Sequence, residues 1–199
     1  DVGTTYMGLS LDQFSNKSSN YATVTFVIAE DGFVTVNPAD VTVTIVGNEG
    51  SNSYDGYEHT VRGYTATANK SFYDVDHDFV FSGEGEATRK DVGTTYMGLS
   101  ADQFSNTNAN FGTVTFVVKK DGSQNITPIP LTVKADDKTK YNYVDAPDPI
   151  FTATLTGLLE GETEASAGIS YSFTRAPGEA VGTYRITPSG ETRQGNYIS

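Results

Sequence analysis

The chain of 199 residues has no Cys, no Trp, two His, two Met and seven Pro. Without Cys there is no disulfide framework, no thiolate metal site and no Cys nucleophile. Basic residues are scarce: 13 Lys plus Arg stand against 25 Asp plus Glu, for a net charge of −12. Such a surface repels phosphate, which argues against nucleic acid as a partner. No stretch approaches the ~18 consecutive apolar residues of a membrane-spanning helix. The opening Asp1-Val2-Gly3-Thr4-Thr5 has neither a basic n-region nor an apolar h-region. The expectation is therefore no membrane insertion, with any export signal and anchor lying outside these residues.

What is abundant is Tyr (12) and Phe (11), within a chain that is 37% apolar. Together with many Val and Thr, that is enough for packed β-rich cores and too apolar for a disordered acidic tail.

The order of these residues repeats. Asp1 to Val27 and Asp91 to Val117 are identical at 21 of 27 positions, 90 residues apart. A weaker echo begins at Val181, with Val181-Gly182-Thr183, Tyr184 and then Asn196-Tyr197. Residues 1–38 read as the C-terminal half of a module, 39–128 as one complete module, and 129–199 as a module without its final strand. A module near 90 residues buries a modest core of its own, so the expectation is beads on a string. The joints Val36-Asn37-Pro38-Ala39-Asp40 and Ile126-Thr127-Pro128-Ile129-Pro130 read as short, proline-stiffened linkers.

Alternation with period two dominates. Val41–Val46, Thr113–Val118, Leu131–Ala135 and Ile150–Leu155 alternate apolar and polar positions and are rich in β-branched residues, as half-buried strands are. Turn residues punctuate them at Gly47-Asn48, Tyr54-Asp55-Gly56, Gly83-Glu84-Gly85 and Pro177-Gly178. Asp31-Gly32 and Asp121-Gly122 read as hairpin turns. Short helical turns are expected at Leu11–Phe14, Ala101–Phe104 and Leu158–Ala165. The Gly of each Val-Gly-Thr should adopt a backbone conformation closed to other residues. Tyr6, Tyr96 and Tyr184 should then begin strands whose alternate residues face the core. The complete module predicts about seven strands, hence a mainly β chain of tandem small modules. An Ig-like antiparallel sandwich is favoured, with a β-grasp-like sheet covered by one short helix as the alternative.

Several motifs resemble known modules. Leu131-Thr132-Val133-Lys134-Ala135, Lys138-Thr139-Lys140-Tyr141, Asp145-Ala146-Pro147-Asp148-Pro149, Thr154-Leu155-Thr156-Gly157-Leu158, Gly161-Glu162-Thr163, Val181-Gly182-Thr183-Tyr184 and Gly195-Asn196-Tyr197 resemble the MBG domain of the YGX type. Asn142 stands where that family usually has Gly. Ser53-Tyr54-Asp55-Gly56, Asp91-Val92-Gly93-Thr94 and Asn108-Ala109-Asn110-Phe111 resemble the related YDG-type repeats. The resemblance implies tandem repeats of large bacterial surface proteins, extracellular and often anchored to the cell wall, acting as stalk or adhesin units.

Candidate chemistry is sparse. Asp74, Asp76 and Asp78 alternate on an extended segment and could chelate calcium, the single metal or cofactor the sequence suggests. The segment fails the EF-hand pattern, with Phe79 at the sixth position and Gly85 at the twelfth. His59 and His77 lack the surroundings of a hydrolase triad, so no enzyme is expected. Glu84 and Glu86 make Gly83-Glu84-Gly85 a hairpin turn rather than a phosphate cradle. Lys90 with Asn110, or Lys134 with Asn196, are nameable isopeptide pairs, a chemistry that needs an apolar pocket. Tyr54, Tyr57, Tyr64, Phe72 and Tyr73 are candidates for a sugar- or protein-binding face.

These readings converge on a non-enzymatic stalk or spacer of a bacterial surface adhesin. The alternative is a module that recognises a host glycan, mucin or immunoglobulin. The expected partners are the adjacent repeats of the same chain. Strands within Ala22–Val36 could also pair with the unfinished edge of 129–199 in another copy, giving head-to-tail association.

Overall fold

In the computed structural model, which describes residues 1–142 and 146–199, the chain is mainly β, with 42% strand and no α-helix, as a sandwich of small sheets requires. Asp145 of the MBG-like motif lies outside the described residues. The complete repeat, 39–128, carries ten short strands, more and shorter than the alternation predicts. The longest is Phe111–Lys120, and beside it Ala39–Gly47 is flanked on its other side by Tyr64–Ala68. Along Ala39–Gly47 the apolar members Val41, Val43 and Ile45 are buried and the threonines between them are half-buried, so alternation and β-branching place this strand as read.

The chain divides into two compact units, and neither follows the repeat boundaries. The first takes Asp1–Thr44, Ala66–Ser82 and Ala101–Val117; the second takes Ile45–Thr65, Gly83–Ser100 and Val118–Ser199. The joint at 38/39 falls within the first and the joint at 128/129 within the second. The joints are not extended linkers. Only Asn37-Pro38 separates strand Phe33–Val36 from Ala39–Gly47, and only Pro128 separates Ser123–Thr127 from strand Ile129–Pro130.

The first unit is held by rings. Phe104 stacks on Phe81 (4.7 Å between centroids) and on Phe116 (5.7 Å), Phe79 meets Phe104 and Phe116 edge-on, and Tyr73 meets Phe111 edge-on at 4.8 Å. Strand Gly3–Tyr6 pairs antiparallel with Phe33–Val36.

The second unit has an aliphatic and tyrosine core of Tyr54, Ile126, Leu131, Ile169 and Tyr197, with Val92, Val133, Leu155 and Leu158 packed against it. Ser123–Thr127 lies between Gly93–Tyr96, antiparallel, and Glu49–Ser53, parallel. Ile129–Pro130 pairs parallel with Tyr197–Ile198. Two antiparallel pairs, Thr132–Ala135 with Ala153–Thr156 and Ser172–Arg175 with Ile186–Ser189, complete the third repeat. Strand direction is invisible to a period-two pattern, so the parallel pairs enter only with the structure.

Local expectations separate into those fixed by the backbone and those that needed a neighbour. The helical turns appear as 3-10 turns at Leu11–Gln13 and Ala101–Gln103, whereas 158–165 forms turns only. Gly3 and Gly93 have φ near +137°, closed to residues with a Cβ (φ 138 and 136). Tyr6 and Tyr96 close their strands rather than begin them, and both are exposed.

Asp121-Gly122 is a corner rather than a hairpin, because Phe111–Lys120 and Ser123–Thr127 belong to different sheets. The Asp121 carboxylate accepts the amides of Gly98 and Leu99 (3.1 and 3.0 Å), as Asp31 accepts those of Gly8 and Leu9 (3.0 and 3.3 Å). A Cβ on Gly122 would collide with the Met97 sulfur and with backbone of Asn48. Gly83-Glu84-Gly85 is likewise a link between sheets, since Phe79–Phe81 pairs with Phe104–Asn106 and Glu86–Arg89 pairs with His59–Arg62.

Candidate functional site

The aromatic candidates are divided between the two units. Tyr54, Tyr57 and Tyr64 belong to the second unit, Phe72 and Tyr73 to the first. Tyr73 is buried, and its hydroxyl bonds Asp78 O and Asn106 Oδ1, both at 3.1 Å, so it is a core tyrosine with its polar end satisfied. Burial, followed by the nearby Asp78 charge, raises its pKa. Phe72 is 63% exposed and lies flat on Phe111 at 6.0 Å. Tyr64 is half-buried, and that burial raises its pKa. Tyr57, at 74% exposed, is the ring most open to solvent in this set.

Tyr54 is the organising member. Its hydroxyl donates to Glu162 Oε1 at 2.6 Å, and the Tyr197 hydroxyl donates to Glu162 Oε2 while accepting the Leu159 amide at 3.1 Å. The two rings meet edge-on at 5.9 Å. The bond to the Glu162 carboxylate favours the neutral phenol, and with burial it pushes the Tyr54 pKa up to about 12. Tyr197 is raised too, chiefly by burial and then by Glu162. The Tyr54-Asp55-Gly56 motif of one repeat thus packs against the Gly195-Asn196-Tyr197 motif of the next.

The acidic segment closes on itself. Asp74 Oδ1 accepts the Asp76 amide (2.9 Å), Asp78 Oδ2 accepts the Asp74 amide (2.8 Å), Asp78 Oδ1 accepts Asn108 Nδ2 (2.8 Å), and His77 Nδ1 pairs with Asp74 Oδ2 (2.9 Å). The Asp76 amide bond, then His77, lowers the Asp74 pKa, and Asp74 in turn raises His77. These oxygens hold a tight turn, and among the described residues no group of three acidic or His side chains is arranged to hold a metal ion.

The isopeptide pairs do not assemble. Asn110 and Asn196 commit their side-chain amides to Asp1 with Val2 and to Asp91 with Val92, while Lys90 and Lys134 are exposed rather than in an apolar pocket. His59 instead pairs with Asp55 at 3.0 Å.

Sequence reasoning missed a cleft in the third repeat, of about 690 Å³, lined in part by Lys140, Asp148, Arg175, Glu179, Tyr184 and Tyr141. Lys140 Nζ bonds Asp148 (3.2 Å) and Glu179 (2.8 Å), and Arg175 bonds the same two carboxylates (3.1 and 2.5 Å) above the Tyr184 ring. Burial opposes ionisation of Asp148, but the bonds from Lys140 and Arg175 outweigh it and its pKa falls. The same two cations lower Glu179. Two positive and two negative groups cancel within a wall that also carries Pro149, Phe151, Val181 and Ile186, so the cleft is charge-balanced and partly apolar. The residues come from loop segments and the end of strand Ser172–Arg175, whose proximity in space no local pattern signals.

Among the described residues no helix is long and apolar enough to cross a membrane. Comparison with curated proteins and comparison with solved structures each give no match. Comparison with protein families does, and to a module of the kind that points to surface or adhesin repeats. Residues 131–198, the stretch that supplies Leu131, Ile169 and Tyr197 to the second unit's core, match the family model of the MBG domain of the YGX type.

Proposed function

We propose that the chain is a load-spacing segment of a bacterial cell-surface adhesin, non-enzymatic and extracellular, whose repeats act as a stalk. The observation that carries this reading is the core of the second unit, where Tyr54 and Ile126 of one repeat pack with Leu131, Ile169 and Tyr197 of the next. Apolar burial across a joint resists bending in a way that a solvated linker does not. The absence of Cys leaves stiffness to such packing. Small-angle scattering with light-scattering detection, in calcium and in chelator, tests the reading. The expected result is an elongated profile, unchanged by calcium and by concentration. A flexible-chain profile overturns it.

A second reading, recognition of a host glycan or glycoprotein, is favoured by the charge-balanced, partly apolar cleft beside exposed Tyr141 and by exposed Tyr57. Saturable attachment to mucin or immunoglobulin, lost in Tyr57→Ala or Tyr141→Ala at unchanged melting temperature, would replace the spacer reading with this one.

A further inference from the structure

The two joints of the chain share an atomic device. At the first, the Val2 amide donates to Asn110 Oδ1 at 3.1 Å and Asn110 Nδ2 donates to Asp1 Oδ1 at 3.1 Å. At the second, the Val92 amide donates to Asn196 Oδ1 at 2.8 Å and Asn196 Nδ2 donates to Asp91 Oδ1 at 3.0 Å. In each case one Asn amide reads an Asp-Val dipeptide with both of its ends. Each Asp-Val belongs to one repeat and each Asn to the repeat that follows it.

Asp1-Val2 and Asp91-Val92 correspond under the 90-residue offset, and Asn110 and Asn196 each stand directly before a packed aromatic, half-buried Phe111 against Tyr73 and buried Tyr197. Residues 131–198 match the MBG domain, and Asn110 lies in the repeat before that match. Two successive repeats therefore make one contact. An Asn amide suits the task because it carries donor and acceptor on one rigid plane, complementary to a backbone N–H next to a carboxylate. Neighbouring backbone contacts set the second Asn in place: its own carbonyl accepts the Ile129 amide at 3.2 Å, and the Leu131 amide donates to Ile198 O at 2.8 Å.

We propose that Asp-Val facing Asn is a common coupling between repeats: a repeat that presents Asp-Val-Gly-Thr accepts a downstream neighbour that places Asn before its packed aromatic. The proposal rests on the stalk reading for its purpose and names the residues that join it. The coupling has a direction. Ala180 stands before Val181-Gly182-Thr183 where Asp1 and Asp91 stand in the earlier copies, so the carboxylate half of the coupling is present in the first two repeats and lacking in the third.

Amide hydrogen exchange on the full chain tests this, with Val92 and Val2 as reporters. Asn196→Ala should accelerate exchange at Val92 by ~10-fold, the equivalent of one lost hydrogen bond, and leave Val2 unchanged; Asn110→Ala should do the reverse. Asn196→Asp places two carboxylates face to face and should cost at least as much. The swapped pair Asp91→Asn with Asn196→Asp restores one donor and one acceptor, and should return Val92 to within about threefold of the parent. An Asn196→Ala chain with unchanged Val92 exchange overturns the coupling. So does a swapped pair that stays as fast as Asn196→Asp, since Asn196 would then act by shape alone. Scattering is untouched by this readout, so a flexible chain with an intact coupling would sink the stalk reading and leave the coupling standing.

Discussion

Tyr54 and Glu162, 108 residues apart in sequence, are joined by a 2.6 Å hydrogen bond in which the phenol donates to the carboxylate. Glu162 accepts Tyr197 as well, so one carboxylate ties the turn of one repeat to the last strand of the next. The pair makes the second unit sensitive to alkali. Tyr54 has its pKa lifted from 10.0 to about 12, so its contribution is fully present below about pH 10 and is lost as pH rises through about 12. Denaturation midpoints should fall across that window in the parent and fall less in Tyr54→Phe. Glu162→Gln should bring the Tyr54 midpoint, read from tyrosinate absorbance, back toward that of an ordinary tyrosine.

Equivalent positions of the repeat should differ in cost. Ile126 is 1% exposed and its counterpart Val36 is 51% exposed. Ile126→Ala should destabilise the second unit by about 2–5 kcal/mol, as buried truncations do. Val36→Ala should stay within about 0.5 kcal/mol, as exposed changes do. Denaturant unfolding of both variants measures the contrast, and equal costs would contradict the burial difference.

The corner aspartates should matter in both copies. Asp121→Ala removes the acceptor of two amides, Gly98 and Leu99, and should cost about 1–2 kcal/mol with faster exchange at Leu99. Asp31→Ala should act alike at Leu9. Asp121→Asn, which keeps an oxygen acceptor, should lose less.

His77 should titrate above the ordinary imidazole value of 6.5, because Asp74 bonds its ring and favours the charged form. Its small contribution is present below that value and is lost as pH rises through the elevated midpoint. Asp74→Asn should bring the midpoint, followed by NMR, down toward 6.5. A midpoint unmoved by that change would mean that the Asp74 bond is not what raises it.

Residues 21–27 and 111–117 show how far sequence carries. The runs differ only at their first two positions, yet Phe111–Lys120 is a strand and 21–27 is not. The first has Ala39–Gly47 beside it, while among the described residues 21–27 has no strand partner. What the shared sequence does fix is local. The 3-10 turn, the Asp corner and the stacked pair Phe14–Phe26, matched by Phe104–Phe116 at the same 5.7 Å, recur in both copies. Local chemistry was legible, and partner-dependent structure was not. Burial is partner-dependent in the same way: the pattern around Tyr54, Tyr57, Tyr64, Phe72 and Tyr73 cannot tell that Tyr54 and Tyr73 are inside and belong to different units.

The joints at 38/39 and 128/129 lie inside compact units, and this separates the unit of inheritance from the unit of folding. Copying 90 residues of sequence duplicates the trailing part of one folded body and the leading part of another. A protein enlarged this way gains a new body only when the fresh seam closes, so selection on an added copy acts first on its borders. The near-identity of Asp1 to Val27 and Asp91 to Val117 is not shared by the leading parts, 39–90 and 129–180.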